Sequence, residues 1–168
     1  YTPSNPDVPI IDSSLMDDIP TRIKVLTTPI SEPSRILKKI TGRSGSNRIG
    51  ASGGGGKKSL FSRFSLWVRG NLFIPDARVG WVKPSVEFLK GWLVKNKVDA
   101  ITTTGPPHSM HLIGLGLKKY NPQLPWVADF RDPWSDMDYL DEFNMGPRAR
   151  AKMEELESEV AVTAANCE

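Results

Sequence analysis

The segment WVADFRDPWSD, residues 126–136, places three charged side chains directly after a short apolar run. Charged groups are costly to remove from water unless they are paired or used. Asp129 and Asp132 can accept hydrogen bonds from sugar hydroxyls or act as a base, and Arg131 can bind a phosphate or hold a carboxylate. Trp134 offers a flat apolar face that suits a sugar ring. The segment therefore predicts a ligand site, with a structural ion pair and a core indole as the alternatives.

A second polar segment, TTTGPPHSMH at residues 102–111, holds His108 and His111, the only two histidines of the chain. Imidazole exchanges a proton near neutral pH, which makes both residues candidates for catalysis. His108 stands at the start of a predicted helix, where Ser109 and the free backbone amides suit an anionic or hydroxyl-rich ligand. The alternative is that His108 only caps the helix.

Hydrophobic periodicity predicts the elements that position these residues. It indicates helices at 83–97, 108–120 and 147–165, and strands at 98–104 and 126–130. Strands separated by such helices pair in parallel through right-handed crossovers, so we expect an α/β fold with a doubly wound, mainly parallel Rossmann-like sheet. Because ligands bind outside the carboxyl ends of parallel strands, the two polar segments should surround one cleft.

Two of the predicted helices carry further signals. Gly114 and Gly116 weaken the helix at 108–120 but allow it to approach a sheet closely. The helix at 147–165, which carries four glutamates including Glu157, is predicted to be a surface helix, and no functional role is assigned to these glutamates.

The amino-terminal part has fewer clear elements. A β-branched stretch at 22–28 predicts one more strand, and residue spacing predicts helices at 34–40 and 59–69. Between these helices, the Gly/Ser-rich residues 41–58 are typical of a flexible insertion. Since three strands are few for an open parallel sheet, we expect a single incomplete domain over residues 1–168 that lacks flanking elements.

Composition is that of a globular protein of 168 residues, with 39% hydrophobic and 24% charged residues. No apolar stretch approaches the length of a membrane span, and one cysteine, Cys167, excludes an internal disulfide framework and suits a reducing compartment. Residues 35–69 hold nine Lys or Arg and no Asp or Glu, whereas the rest of the chain holds 13 basic and 19 acidic residues. This basic segment predicts contact with phosphates, anionic lipid or nucleic acid, unless it is a solvated loop.

Three stretches together resemble the amino-terminal half of family 4 glycosyltransferases: GNLFIPDARVGWVKPSVEFLK, DAITTTGPPHSMHLIGLGLKK and WVADFRDPW. Within that family, they are similar to the bacterial branch found in cell-surface polysaccharide clusters. The resemblance extends over residues 1–168 and is strongest from 70 to 135. It implies a retaining glycosyltransferase of the GT-B type, which moves a sugar from a nucleotide-sugar donor to a glycan or lipid-linked acceptor. Such enzymes need no catalytic metal and no cofactor, because the nucleotide-sugar is a co-substrate.

The resemblance implies that this chain is the acceptor-side domain of such an enzyme, with His108 or His111 near the transferred sugar or the acceptor. Together with the residue chemistry, it leads us to expect catalysis by His108, His111 and Asp132, substrate binding by Asp129, Arg131, Trp134 and Ser109, and no metal ligand.

The family's opening strand and glycine-rich phosphate loop would precede Tyr1, and its donor domain would follow Glu168, so the chain alone is expected to be inactive. The implied location is cytoplasmic. Peripheral contact with the inner membrane would use the basic segment together with Trp67, Phe73 and Trp81, unless these aromatics belong to the core.

Two other functions stay open. Asp136-Met137-Asp138 has the Asp-x-Asp spacing that binds a divalent cation and diphosphate in metal-dependent GT-A glycosyltransferases. The basic segment would alternatively serve a non-enzymatic nucleic-acid or interaction module, although it lacks the interleaved aromatics of a base-stacking platform. A nicotinamide dehydrogenase is excluded for this chain, because no G-x-G-x-x-G motif follows a predicted strand.

Overall fold

The computed structural model describes residues 1–6, 12, 14, 17–30 and 60–165 of the chain. The chain divides into two compact units, Tyr1–Gly45 and Ser46–Glu168. The predicted helix at 34–40 and the predicted insertion at 41–58 lie outside the described residues. A single domain over the whole chain stays a prediction.

In the first unit, two very short strands pair in parallel. Strand β1, Thr2–Pro3, lies beside β2, Thr27–Thr28, and the amide of Thr2 donates to the carbonyl of Leu26 at 3.0 Å. The strand predicted at 22–28 is therefore wrong except for its last two residues. Its apolar side chains lack the burial that favours a strand, since Ile23 is 52% exposed.

The second unit has alternating helices and strands. Its elements are α1 (Leu60–Leu72), α2 (Val82–Leu93), β3 (Ile101–Gly105), α3 (Ser109–Tyr120), β4 (Trp126–Phe130) and α4 (Pro147–Ala165), with short 3-10 helices at Val79–Trp81 and Asp138–Phe143. The predicted elements of this unit are confirmed, and the bounds of β4 and α4 are those expected. Both 3-10 helices were missed by the sequence interpretation.

Strands β3 and β4 form a parallel pair in which Ile101 lies opposite Trp126 and Gly105 opposite Phe130. Strand β3 begins later than predicted because β4 begins at Trp126, so residues 98–100 have no partner in β4. Among the described residues, each of the two sheets has two strands, and the pairs β1–β2 and β3–β4 are separate. The fold is thus a mixed α/β arrangement with short parallel pairs.

Helix α3 packs closely on this parallel pair. A Cβ atom added at Gly114 would lie 2.6 Å from Nε1 of Trp126, so only glycine lets the helix approach β4 at this point. This confirms the predicted close approach for Gly114. Gly116 faces Val86 of α2 instead, with 2.6 Å between its added Cβ and Cγ2 of Val86.

The core of the second unit lies where α3, β4 and α4 meet. Its buried residues are Leu115, Trp126, Trp134, Leu140, Met153 and Val160. Burial of such large apolar side chains is the main source of stability in a domain of this size. In the described part of the chain, no helix has both the length and the apolar character needed to cross a membrane.

Candidate functional site at the carboxyl ends of β3 and β4

The parallel pairing brings the two polar turns to one edge of the sheet. Thr104 lies opposite Asp129 and Gly105 opposite Phe130, so the turn after β3 and the turn after β4 leave the sheet side by side. The prediction that both segments meet at one edge is confirmed. The roles assigned to individual residues stay predictions, and their surroundings differ sharply.

Both histidines are buried in a stack of rings. His108 is 4% exposed and His111 is fully buried. The His108 ring lies 5.1 Å from the Trp134 ring between centroids, and the His111 ring lies 4.7 Å from that of Phe130. The His111 and Phe130 rings also stack on Trp134, at 5.7 and 5.8 Å. We call His108, His111, Phe130 and Trp134 the ring stack.

Trp134 occupies the core of this arrangement, with 1% of its surface exposed. Its faces contact imidazole and phenyl rings, so in this structure the indole does not present a free face to a sugar. The core position that was the alternative for Trp134 is the one observed. Aromatic pairs in such offset contact each contribute about 0.5–1.5 kcal/mol beyond the burial of their area.

Several polar atoms of the ring stack have no partner. Oγ1 of Thr103 lies 2.8 Å from Nδ1 of His111 and accepts a hydrogen bond from Nε1 of Trp126 at 3.0 Å. In contrast, both ring nitrogens of His108, Nε2 of His111 and Nε1 of Trp134 lack a hydrogen-bond partner among the described residues. Buried polar groups are normally satisfied, so these four nitrogens mark a polar spot inside the core.

Gly105 lies directly against that spot. A Cβ atom added there would be 2.6 Å from Nε2 of His111 and 3.2 Å from Nδ1 of His108. Two of the unpartnered nitrogens therefore face the same glycine at the end of β3. Any side chain at this position would push the imidazoles out of the ring stack.

Burial keeps both imidazoles in the neutral form. It lowers the pKa of His108, against the opposing charges of Asp76, Glu157 and Asp132. Burial and the neighbouring His108 lower the pKa of His111 to about 4, while Asp129 acts in the opposite direction. At neutral pH each ring is uncharged and can donate one hydrogen bond and accept another.

Asp76 holds the turn after β3 in place. Its carboxylate accepts hydrogen bonds from the backbone amide of Ser109 at 2.7 Å and from the Ser109 hydroxyl at 2.9 Å. This interaction caps α3, whereas the side chain of His108 makes no cap hydrogen bond. The amide and hydroxyl of Ser109 are thus bonded within the protein, and its predicted role in substrate binding stays a prediction. Sequence spacing gave no signal for Asp76, which lies far from Ser109 along the chain.

Glu157 of α4 holds the turn after β4. Its carboxylate accepts hydrogen bonds from the amides of Trp134 at 2.8 Å and Ser135 at 3.0 Å, and from the Ser135 hydroxyl. Burial alone would raise the pKa of Glu157, but these hydrogen bonds and the nearby His108 outweigh it and lower the pKa. The sequence predicted a surface helix here and no role for Glu157, whereas the structure shows this glutamate half-buried and bonded to the turn. Its half-buried position depends on how α4 packs, which periodicity alone does not reveal.

The three charged residues at the end of β4 and just beyond it are exposed to solvent. Nε of Arg131 is 3.8 Å from Oδ2 of Asp129, and the two side chains are 68% and 49% exposed. Asp132 is also exposed. We call Asp129, Arg131 and Asp132 the charged rim. Unlike the ring stack, these groups are directly accessible to a ligand.

The Asp-x-Asp motif at residues 136–138 follows the charged rim in the sequence. Asp136 is exposed, and the side chain of Asp138 lies outside the described part, so the Asp-x-Asp prediction stays untested. Within residues 1–6, 12, 14, 17–30 and 60–165, no group of three or more His, Cys, Asp or Glu side chains is arranged to hold a metal ion. No family model, curated protein or solved structure matches the chain.

Proposed function

We propose that this chain is the acceptor-side domain of a retaining glycosyltransferase of the GT-B type. In this proposal the β3–β4 pair belongs to a doubly wound Rossmann-like sheet, and a second domain outside this chain binds the nucleotide-sugar. The acceptor is a glycan or a lipid-linked sugar in bacterial polysaccharide synthesis, and the chain alone is inactive. The observation that carries the proposal is the in-register parallel pairing, which brings the two turns of the family-like motif to one edge.

The charged rim suits the recognition of an acceptor. Asp129 and Asp132 present carboxylates that accept hydrogen bonds from sugar hydroxyls, and the guanidinium of Arg131 can orient a carboxylate or contact a phosphate. These side chains are exposed, so binding a sugar would remove little existing structure. The charges of the rim also act on the imidazoles, since Asp132 opposes the lowering of the pKa of His108 and Asp129 opposes that of His111.

The two imidazoles would act at the polar spot beside Gly105. His108 and His111 are neutral at physiological pH and keep unpartnered nitrogens facing Gly105. A hydroxyl of the acceptor that reaches Gly105 would find a hydrogen-bond donor or acceptor there, without the cost of a buried charge. This is the role we propose for the two residues.

A transfer assay tests this function in the natural protein that contains the chain. The purified protein would be incubated with radiolabelled UDP-glucose, UDP-galactose, UDP-N-acetylglucosamine or GDP-mannose and with a bacterial lipid extract as acceptor. Label transfer is expected with at least one donor. Loss of transfer of roughly tenfold or more is expected for Arg131→Ala and Asp132→Ala, at an unchanged melting temperature, because positioning groups act on the transition state.

Asp136→Ala is the matched control, because this exposed carboxylate follows the rim but lies outside it. Transfer by the control should equal that of the unsubstituted protein. Transfer that requires manganese and is lost in Asp136→Ala would favour the GT-A alternative. The absence of transfer from all four donors, or equal losses of melting temperature and activity in the rim variants, would contradict the proposal.

A further inference from the structure

Helix α1 presents an apolar face to solvent. Phe64 is 62% exposed, Trp67 is 44% exposed and Leu72 is 64% exposed. The rings of Phe64 and Trp67 stack on each other, with centroids 6.3 Å apart and planes inclined by 18°. We call these three residues the α1 apolar face. Large exposed apolar side chains grouped on one helix mark an interaction surface.

Only one of the aromatics predicted to contact a membrane belongs to this face. Trp81 is 1% exposed and Phe73 is half-buried, so Trp81 is a core residue and that part of the prediction is wrong. Trp67 is exposed as expected. Its partner Phe64 was not among the aromatics predicted to contact a membrane.

Helix α1 is fixed to the protein through Leu66 and Gly70 and, on the same side as the aromatic pair, through Asn71. A Cβ atom added at Gly70 would lie 2.6 Å from Cβ of Phe143, and the side chain of Asn71 accepts a hydrogen bond from the amide of Gly146 at 2.8 Å. Leu66 is buried, with 8% of its surface exposed. These contacts anchor the helix and hold the α1 apolar face in a fixed orientation.

Helix α1 and the sequence before it, from residue 35 onward, carry only basic charges. Helix α1 contains no acidic residue, and its Arg63 is exposed beside the aromatic pair. In the sequence, residues 35–69 carry nine basic and no acidic residues, while the rest of the chain has a net charge of −6, from 13 basic and 19 acidic residues. An anionic partner is favoured at this end of the sequence and disfavoured elsewhere.

We propose that α1 docks on the surface of an anionic lipid bilayer. Phe64, Trp67 and Leu72 would lie at the level of the headgroups and upper acyl chains, and Arg63 would contact lipid phosphates. A bilayer would cover both the aromatic pair and Leu72, whereas a nucleic acid would use the rings but leave Leu72 in water. This docking is independent of the proposed sugar transfer, since it requires none of the residues of the charged rim or ring stack.

Vesicle co-sedimentation of the 168-residue chain tests this docking. The chain should bind vesicles that contain 30% phosphatidylglycerol in phosphatidylcholine, and binding should weaken as salt is raised from 0.05 to 0.5 M. The double variant Phe64→Ala/Trp67→Ala should bind at least tenfold more weakly, and Arg63→Gln about fivefold more weakly. The matched controls are Phe88→Ala and Lys95→Gln, which alter an exposed aromatic and an exposed cation elsewhere in the second unit and should bind normally.

Quenching by brominated lipid identifies which tryptophan enters the bilayer. Among the tryptophans, Trp81, Trp126 and Trp134 are each 1% exposed, so they should stay unquenched. Trp67→Phe keeps an apolar ring, and it should retain vesicle binding but lose most of the quenching. This readout does not depend on whether an alanine variant is less stable.

Three results would overturn the docking proposal. The first is equal binding of the double variant and the Phe88→Ala control. The second is undiminished quenching in Trp67→Phe. The third is binding of single-stranded DNA by the chain with no binding to anionic vesicles, which would assign the face to a nucleic-acid partner instead.

Discussion

The turns after β3 and β4 leave the same edge of the sheet, yet they place their polar residues in opposite surroundings. In the ring stack, His108 and His111 are 4% and 0% exposed, whereas in the charged rim the side chains of Arg131 and Asp129 are 68% and 49% exposed. The difference arises because the chain turns back at Trp134 and covers the imidazoles. A position near the end of a strand therefore does not decide whether a polar side chain is exposed to solvent.

This contrast separates two kinds of contribution. Buried rings that contact one another contribute mainly to stability, and their burial suppresses protonation. An exposed ion pair such as Arg131–Asp129 contributes little to stability, because water and salt screen it, but it remains free to bind a ligand. Substitutions in the ring stack should accordingly lower the free energy of unfolding more than substitutions in the charged rim do.

The largest expected effect is the removal of the buried indole. Trp134→Ala should reduce the free energy of unfolding by about 3–5 kcal/mol, because it leaves a cavity beneath three other rings. Trp67→Ala is the control, since this indole is 44% exposed, and it should cost less than about 1 kcal/mol. Urea unfolding followed by circular dichroism measures both, and equal losses would refute the structural role of the stack.

The second prediction concerns pH. The pKa of His111 is lowered from 6.5 to about 4, so the unfolded chain binds a proton between these values that the folded chain does not. Stability contributed by the neutral ring is complete above pH 6.5 and is lost as pH falls toward 4, by about 3 kcal/mol for this residue. His108, whose pKa is also lowered, adds to this loss.

Urea midpoints at pH 7.5, 5.5 and 4.5 measure this dependence. The variant His111→Phe retains a ring in the stack but cannot be protonated, so its midpoint should fall less steeply over the same range. Parallel curves for the two proteins would show that His111 does not titrate as its burial implies.

A smaller effect is expected from crowding the polar spot at the base of the stack. Gly105→Ala should cost about 1–3 kcal/mol, because the added methyl group would lie 2.6 Å from Nε2 of His111. Gly91→Ala is a matched control in helix α2, where an added Cβ has no atom within 4 Å, and it should stabilise the protein by about 0.5–1 kcal/mol. Changes of the same sign in both variants would argue against close packing at Gly105.

The smallest effect is expected at the rim. Arg131→Ala should change the free energy of unfolding by less than about 0.5 kcal/mol, because its ion pair with Asp129 is long and exposed. Thermal unfolding at low and high salt measures this change. A loss as large as that of Trp134→Ala would remove the distinction between the two regions.

Much of the second unit could be predicted from sequence because its elements are long and periodic. The bounds of β4 and α4 are those that the residue pattern indicates, and the alternation of strands and helices predicts parallel pairing. The strand predicted at 22–28 is wrong for most of its length, because a short β-branched stretch shows only that its residues can adopt a strand conformation. Pairing depends on a partner, and only Thr27–Thr28 lies beside one in the described structure.

The candidate site was less predictable than the fold. Sequence reasoning identified the two polar turns but assigned all their residues to one cleft, and it overlooked Asp76 and Glu157. Each of these carboxylates bonds backbone amides of a residue far away in sequence, Ser109 for one and Trp134 for the other. No local spacing encodes such contacts.

The amino-acid sequence by itself determined which residues follow β3 and β4 and, through the crossover of α3, that the two turns share an edge. Tertiary structure alone decided that His108 and His111 are buried and neutral while Asp129, Arg131 and Asp132 stay in water. The physical reason is that periodicity is a property of neighbouring residues, whereas burial depends on what distant elements place above a side chain. Here the indole of Trp134, whose backbone amide is held by the carboxylate of Glu157, provides that cover.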